Sequence, residues 1–359
     1  MAKSTTLTSG GFVYVESDGM ANGVTVQGGK LIVSDCGTVD GLTVGSGGTI
    51  YVSSGGKMTG RMSFEDGACV YASDGSVLDF NLSEATADSP LVSNLFAVWY
   101  KPWEDFTWNN PPNLTMTVSG TQAGGLYLLA DGAAGFNKSI TVVNALGERV
   151  ATLTVGGGTV KINGKESMLI LDDDELRLAI GVFTGTLNNE TKDVKEMFAS
   201  GVIVNAGGVL NVLDSGTADK TTVNSAGRIF VCSGGVAEDT AVNRGGTLCV
   251  SNGILKGTNE IAPSATLTLT GPMTIADGAV VNAYNGSVID FDLTAFAPDD
   301  APLVNDLSRI KGVPSYIVTV TAEQEKGGYI LAGGASDFTG SLTVQCAGAT
   351  DITLTVGDA

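Results

Sequence analysis

The chain has 359 residues with 19 basic and 38 acidic side chains, a net charge of −19 that repels phosphate backbones and anionic lipid and so argues against nucleic-acid partners. Its 50 glycines, 9 prolines, 43% hydrophobic and 16% charged residues suit many short strands and tight turns rather than a disordered Pro/Gly tract. Histidine is absent, which removes Ser-His-Asp and Cys-His arrangements, histidine general bases and most zinc sites.

The start, MAKSTTLTSG, shows no apolar export signal, and no apolar run is long enough to cross a bilayer as a helix, so no membrane insertion of this segment is expected. From Gly11 to Gly75 one phrase recurs: GGFVYVESDG, GGKLIVSDCG, GGTIYVSSGG and DGACVYASDG. Gly29, Gly48 and Gly67 are 19 residues apart, and Gly11 precedes them by 18. Registered on those glycines, one inward column reads Val13, Leu31, Ile50, Cys69 and the next Val15, Val33, Val52, Tyr71. Alternation inside a fixed long period predicts a strand that recurs once per coil of a solenoid, with rungs about 4.8 Å apart. A second, weaker strand per coil is predicted at GVTV (23–26), GLTV (41–44) and TAV (240–242).

Past the first coils lies FAVWYKPWEDFTWNNPP, residues 96–112, which holds all 3 tryptophans of the chain. The aromatic residues Trp99, Tyr100, Trp103, Phe106 and Trp108 are the candidate ligand-binding residues, because flat rings stack on sugars or anchor protein partners. An apolar cap on the solenoid is the competing reading. From Leu114 the text alternates as LTMTV, LYLLA, SITVV and ATLTV, then MLILDDDELRLAI, which reads as a hairpin with Asp172, Asp173, Asp174 and Glu175 at its tip. Four carboxylates suit calcium, but a solvated turn is the better reading. A short helix is expected over 191–199 (TKDVKEMFA).

The chain then repeats itself. GSVLDFNLSEATADSPLVSNL (75–95) returns as GSVIDFDLTAFAPDDAPLVNDL (286–307), and GGLYLLADGAAGFNKSITV (124–142) returns as GGYILAGGASDFTGSLTV (327–344). TLTVG at 152–156 matches TLTVG at 353–357, so the sequence stops inside its second module. That module opens with coils anchored at Gly208, Gly227, Gly246 and Ala265, again 19 apart, with columns Leu210, Ile229, Leu248, Leu267 and Val212, Val231, Val250, Leu269. DGAVVNAYNGS comes only 13 residues on, so that coil reads as contracted or replaced by a turn. The expected architecture is all-β: a right-handed parallel β-helix with added hairpins, in two tandem modules, 1–195 and 196–359. The first comprises coils (10–95), the aromatic insertion (96–113), further strands (114–183) and a linker (184–195).

Neither the 5 cysteines, which include no C-x-x-C pair, nor any glycine-rich run reads as a metal, redox or phosphate site, so no cofactor and no metal is expected. Cys69 reads as a small buried hydrophobe. Asp79 and Asp290 fall at matching places of the duplicated V-[LI]-D-F phrase, which points to a structural role rather than catalysis.

The coil phrases VQGGKLIVSDCGTVDGLTVGSGGTIYVSSGG and NSAGRIFVCSGGVAEDTAVNRGGTLCVSNG resemble the repeats of AIDA-type adhesin passengers, which belong to bacterial autotransporters. The shared pattern is a glycine pair, a V-x-V-like strand, a Ser-Gly-Gly corner and a T-x-V strand. The resemblance implies a β-helix at the bacterial surface or secreted, acting in adhesion to a host or bacterial protein or glycan, or in self-association. It also implies sugar attachment on corner residues such as Ser53, Ser54 and Ser233. The expected function is therefore a non-enzymatic surface scaffold. The alternatives are a β-helical carbohydrate-active protein (glycan binder, lyase or hydrolase) using residues 96–112, and, more weakly, a trimeric phage or virus fibre segment.

Overall fold

The computed structural model describes residues 2–86, 89–98, 112–298 and 301–355. They fall into two compact units, 1–181 and 182–359. The regular elements are strands, apart from the 3-10 turns Leu82–Glu84, Leu95–Val98 and Leu307–Arg309.

In unit 1 each coil supplies one short and one long strand. The short strands Phe12–Val15, Lys30–Val33, Thr49–Val52 and Cys69–Ala72 stack in parallel as a four-stranded sheet. The long strands Ala2–Leu7, Met20–Val26, Thr38–Val44 and Lys57–Phe64 stack beside them. The weak T-x-V strand anticipated from sequence is thus the second half of a longer one. Alternation drives this arrangement: in Lys57–Phe64 every second residue is buried, and Met58, Met62 and Phe64 join Val39, Leu42 and Val44 in the core.

The register holds one surprise. Asp40 pairs with Thr59, but Leu42 pairs with Met62, so Lys57–Phe64 carries one extra residue beside Gly60 and Arg61. The inward column therefore continues from Ile50 to Val70 and from Val52 to Ala72. Cys69 and Tyr71, expected inside, face outward, because Ala68 rather than Gly67 occupies the place of Gly48. At the same bulge the sheet forks. Val77–Asn81 continues the first half of Lys57–Phe64, and Val92–Ser93 continues the second. Arg61 holds the fork, donating to the carbonyls of Glu84 (2.7 Å) and Pro90 (3.0 Å) and to the Ser89 hydroxyl (2.6 Å). One branch runs on through Asn113–Val118, Ser139–Asn144 and Arg149–Thr154; the other runs through Gly125–Ala130 into the predicted hairpin, Lys165–Asp172 with Glu175–Ile180.

In unit 2 each coil carries three short strands, forming parallel sheets of 6, 7 and 9 strands, the last ending in one antiparallel pair. The predicted columns are in register: Leu210, Ile229, Leu248 and Leu267 pair in succession, as do Val212, Val231, Val250 and Leu269, and all are fully buried. Each such side chain contributes about 1.5–3 kcal/mol of burial.

Two expectations fail here. The helix over 191–199 is absent; Thr191–Val194 and Phe198–Ser200 are strands that pair with Val209–Val212 and Thr217–Asp219. Stacking Val194 and Phe198 under the next rung outweighs the weak local preference for helix. Nor is there a contracted coil. Val280–Ala283 pairs with Thr258–Ile261 in the seven-stranded sheet, and the next rung above Thr266–Leu269 is Val288–Asp292.

The glycine pair has a steric basis. Its first member sits at positive φ, as Gly47 (+78°) does, but Ala226 holds the equivalent place at +58°. At the second, a Cβ on Gly48 would stand 2.5 Å from the Val26 carbonyl oxygen, and one on Gly208 2.6 Å from that of Leu187, whereas the coils with Ala68 and Ala265 at this place accommodate a Cβ.

Candidate functional surfaces

The aromatic candidates Trp99, Tyr100, Trp103, Phe106 and Trp108 lie outside the described residues. Their flanks are anchored, with Ala97, Val98 and Pro112 buried.

The most distinctive described surface is the outer face of the four-stranded sheet in unit 1. Its outward positions are Phe12, Tyr14, Lys30, Ile32, Thr49, Tyr51, Cys69 and Tyr71. Register stacks them in two columns, Phe12–Lys30–Thr49–Cys69 and Tyr14–Ile32–Tyr51–Tyr71. None is acidic, although the chain carries 38 acidic residues. Phe12 and Tyr14 are 56% and 62% exposed. Tyr51 and Tyr71 lie stacked with ring centroids 5.0 Å apart. The Lys30 ammonium stands 5.7 Å over the Phe12 ring. This flat, aromatic face can bury apolar surface against a partner without desolvating a carboxylate.

Asp79 is structural. Its buried carboxylate accepts from the hydroxyls of Thr59 (3.1 Å), Thr115 (2.8 Å) and Thr117 (3.0 and 2.9 Å), and pairs with Lys57 Nζ at 2.8 Å. Every acceptor site is taken, leaving no lone pair free for proton transfer. Asp290, its duplicate, keeps only the Thr319 hydroxyl at 2.8 Å. At the places of Lys57 and Thr115, unit 2 has Thr266 and Ile317. Burial accordingly pushes the Asp290 carboxyl up, the Thr319 bond offsets part of this, and the Asp292 charge adds to it.

A ladder of asparagines runs along one corner of unit 2. Asn205 Nδ2 donates to Asn188 Oδ1 (2.9 Å), Asn224 to Asn205 (2.8 Å) and Asn243 to Asn224 (2.8 Å), one link per coil. The four carboxylates at 172–175 form a hairpin tip: Asp172, Asp173 and Asp174 are exposed, and Glu175 pairs with Arg177. No cluster of three or more metal-ligating side chains occurs among the described residues. Burial pushes the Cys249 thiol up to about 11, so it stays protonated at neutral pH. A recess of about 750 Å³ in unit 2 is lined by Tyr316 and Phe338, which meet edge to face at 5.2 Å, and by Lys311 and Asp337 among others.

Sequence reasoning missed the tyrosine face and the asparagine ladder. Both were written in the repeat: aromatic residues recur in the outward column of GGFVYV, GGTIYV and ACVYA, and asparagine recurs in VNAGG, VNSAG and VNRGG.

Comparison with known proteins agrees with the repeat. Residues 184–246 match the family model described as the adhesin of bacterial autotransporter systems, its probable stalk. A solved structure, the TibC-catalysed hyper-glycosylated TibA 55–350 fragment, aligns over 92% of this chain and 88% of its own, at 19% identity and a TM-score of 0.26. No curated protein matches the chain. The family match supports an adhesin stalk over these residues and does not favour the carbohydrate-active alternative. The stretch 184–246 is thus similar to the AIDA-type adhesin stalk, and its repeat, glycine pairs and in-register parallel rungs agree with that likeness.

Proposed function

We propose that the chain is a non-enzymatic adhesin stalk, secreted or displayed at a bacterial surface, which holds surfaces or further copies of itself through the tyrosine face of unit 1. The observation that carries this is the run of outward side chains Tyr14, Ile32, Tyr51 and Tyr71 on an otherwise acidic molecule. A solenoid suits the task, since each rung repeats the same outward positions and many weak contacts add by multivalency.

The test is clustering of protein-coated beads. The variant Tyr14→Ser/Tyr51→Ser/Tyr71→Ser replaces only exposed or half-buried outward side chains and leaves the core intact. Wild-type beads are expected to cluster and variant beads to remain dispersed, with unchanged circular dichroism. Clustering by a correctly folded variant at the wild-type rate would overturn this reading.

A second reading rests on composition: residues 96–112 concentrate the tryptophans, and under it Trp99, Tyr100, Trp103, Phe106 and Trp108 are the ligand-binding residues. Here Trp99→Ala/Trp103→Ala/Trp108→Ala is the decisive variant. It abolishes adhesion under this reading and leaves clustering intact under the first.

A further inference from the structure

Among the described residues, one pair of tyrosines lies ring on ring: Tyr51 and Tyr71, with centroids 5.0 Å apart and planes 10° from parallel. The backbone sets the contact. Tyr51 is the register partner of Tyr71 on successive parallel rungs, and the flanking Ile50, Val52 and Val70 are buried, so the core holds both Cα atoms in place. The rings stand on the outer face, with Tyr51 38% exposed and Tyr71 half-buried. Tyr14 shares the column and is more exposed, at 62%, but Ile32 occupies the rung between, which sets Tyr14 two rungs, about 10 Å, from Tyr51. Exposure and ring contact are thus separated on one face.

We propose that Tyr51 and Tyr71 form an oxidative cross-linking site, at which hydrogen peroxide acting through a haem peroxidase joins the two rings as dityrosine. Each phenol gives up one electron and one proton to the oxidant. The two phenoxyl radicals pair their electrons in a new bond between carbons ortho to the hydroxyls, and the proton on each joined carbon moves to its phenol oxygen as the rings regain aromaticity. In sum, two tyrosines and one peroxide give one dityrosine and two waters. Rings already in contact couple as one molecule, without the cost of an encounter. Encounters between chains are disfavoured further by the net charge of −19.

The bond staples two coils. It joins strand Thr49–Val52 to Cys69–Ala72 and closes the span between them, which contains Lys57–Phe64 with its extra residue and the fork held by Arg61. A covalent link across that span restricts the unfolded chain as a disulfide would, in a molecule whose 5 cysteines are all free. The inference concerns the free chain and does not rest on the adhesive reading, so coupling and bead clustering succeed or fail separately.

The test treats the whole chain with hydrogen peroxide and a haem peroxidase, reduces it to remove any disulfide, isolates the monomer and maps its peptides by mass spectrometry. Expected is a peptide pair joined at Tyr51 and Tyr71 with the loss of two hydrogens. Tyr51→Phe and Tyr71→Phe, which keep the rings and hence the fold, should each abolish that product, while Tyr14→Phe should leave it. The cross-linked monomer should melt about 5 °C or more above Tyr51→Phe protein given the same treatment. The proposal is overturned if the monomer holds no such product at a dose that couples a free tyrosine peptide, or if dityrosine forms only between chains. A yield unchanged in urea-unfolded chain would also overturn it, since the fold would then contribute nothing, and an unshifted melting temperature would overturn the staple.

Discussion

Replacing Asp79 by alanine should be among the most damaging single changes in unit 1. The carboxylate is 1% exposed and gathers three threonine hydroxyls and the Lys57 ammonium. Its removal leaves those donors facing a cavity. Breaking a buried charged pair costs about 3–5 kcal/mol, and because Lys57 remains 36% exposed and can turn to water, the lower end applies. For a unit of this size each kcal/mol moves the melting temperature by about 2–4 °C, so the expected fall is on the order of 10 °C. Asp290→Ala is the internal control: it removes one hydroxyl bond from a carboxylate whose charged form burial already disfavours, and should cost no more than about 1 kcal/mol. Thermal unfolding followed by circular dichroism reads the size of each effect, and amide exchange at Val77–Asn81 and Asn113–Val118 assigns it to unit 1. Equal destabilisation by the two substitutions would refute the reasoning, as would an Asp79→Ala change under about 0.5 kcal/mol.

The same contacts set further outcomes. Leu248→Ala opens a void in the fully buried ladder of unit 2 and should cost about 2–5 kcal/mol by urea denaturation. Asn224→Ala cuts two links of the asparagine ladder, whereas Asn243→Ala cuts one of the described links; about 1 kcal/mol per link puts the first near twice the second. Gly48→Ala should destabilise unit 1 far more than Gly147→Ala. Only the first Cβ meets a carbonyl of the neighbouring coil; the second has nothing within 4 Å and carries only the strain of its positive φ. For Asp290 the folded-state carboxyl is raised, so the unfolded chain releases that proton first and its ionisation lowers stability as pH rises through the window between the two values. The stability advantage of Asp290→Asn should thus grow across that window and then level off, as equilibrium denaturation at stepped pH will report.

The coils were legible because two periods, the alternation within a strand and the repeat between coils, had to agree, and a one-residue slip exposes a whole column. The same sensitivity explains the error at Cys69. The spacing from Gly48 to Gly67 preserves the repeat length while the extra residue at Gly60–Arg61 has already shifted the next strand. No local pattern reports such a bulge; its cause, the anchoring of Ser89 and Pro90 by Arg61, lies 28 and 29 residues away. The lost helix over 191–199 shows stacking overriding local preference. The cage of Asp79 needed partners 36 and 38 residues distant, so duplication identified its importance but not its chemistry. The tyrosine face was readable as a column, yet a column gains meaning only when register places Tyr51 on Tyr71.

The central claim, that an acid-free aromatic face joins copies or surfaces of an otherwise repulsive scaffold, is tested most directly by the salt dependence of bead clustering. At a net charge of −19 the coated beads repel one another, and salt shortens that repulsion to about 10 Å at 0.1 M while leaving apolar contact intact. Wild-type clustering is predicted to accelerate with salt, while the Tyr14→Ser/Tyr51→Ser/Tyr71→Ser protein stays dispersed throughout. Clustering that weakens as salt rises, or a variant that tracks the wild-type curve, would contradict it.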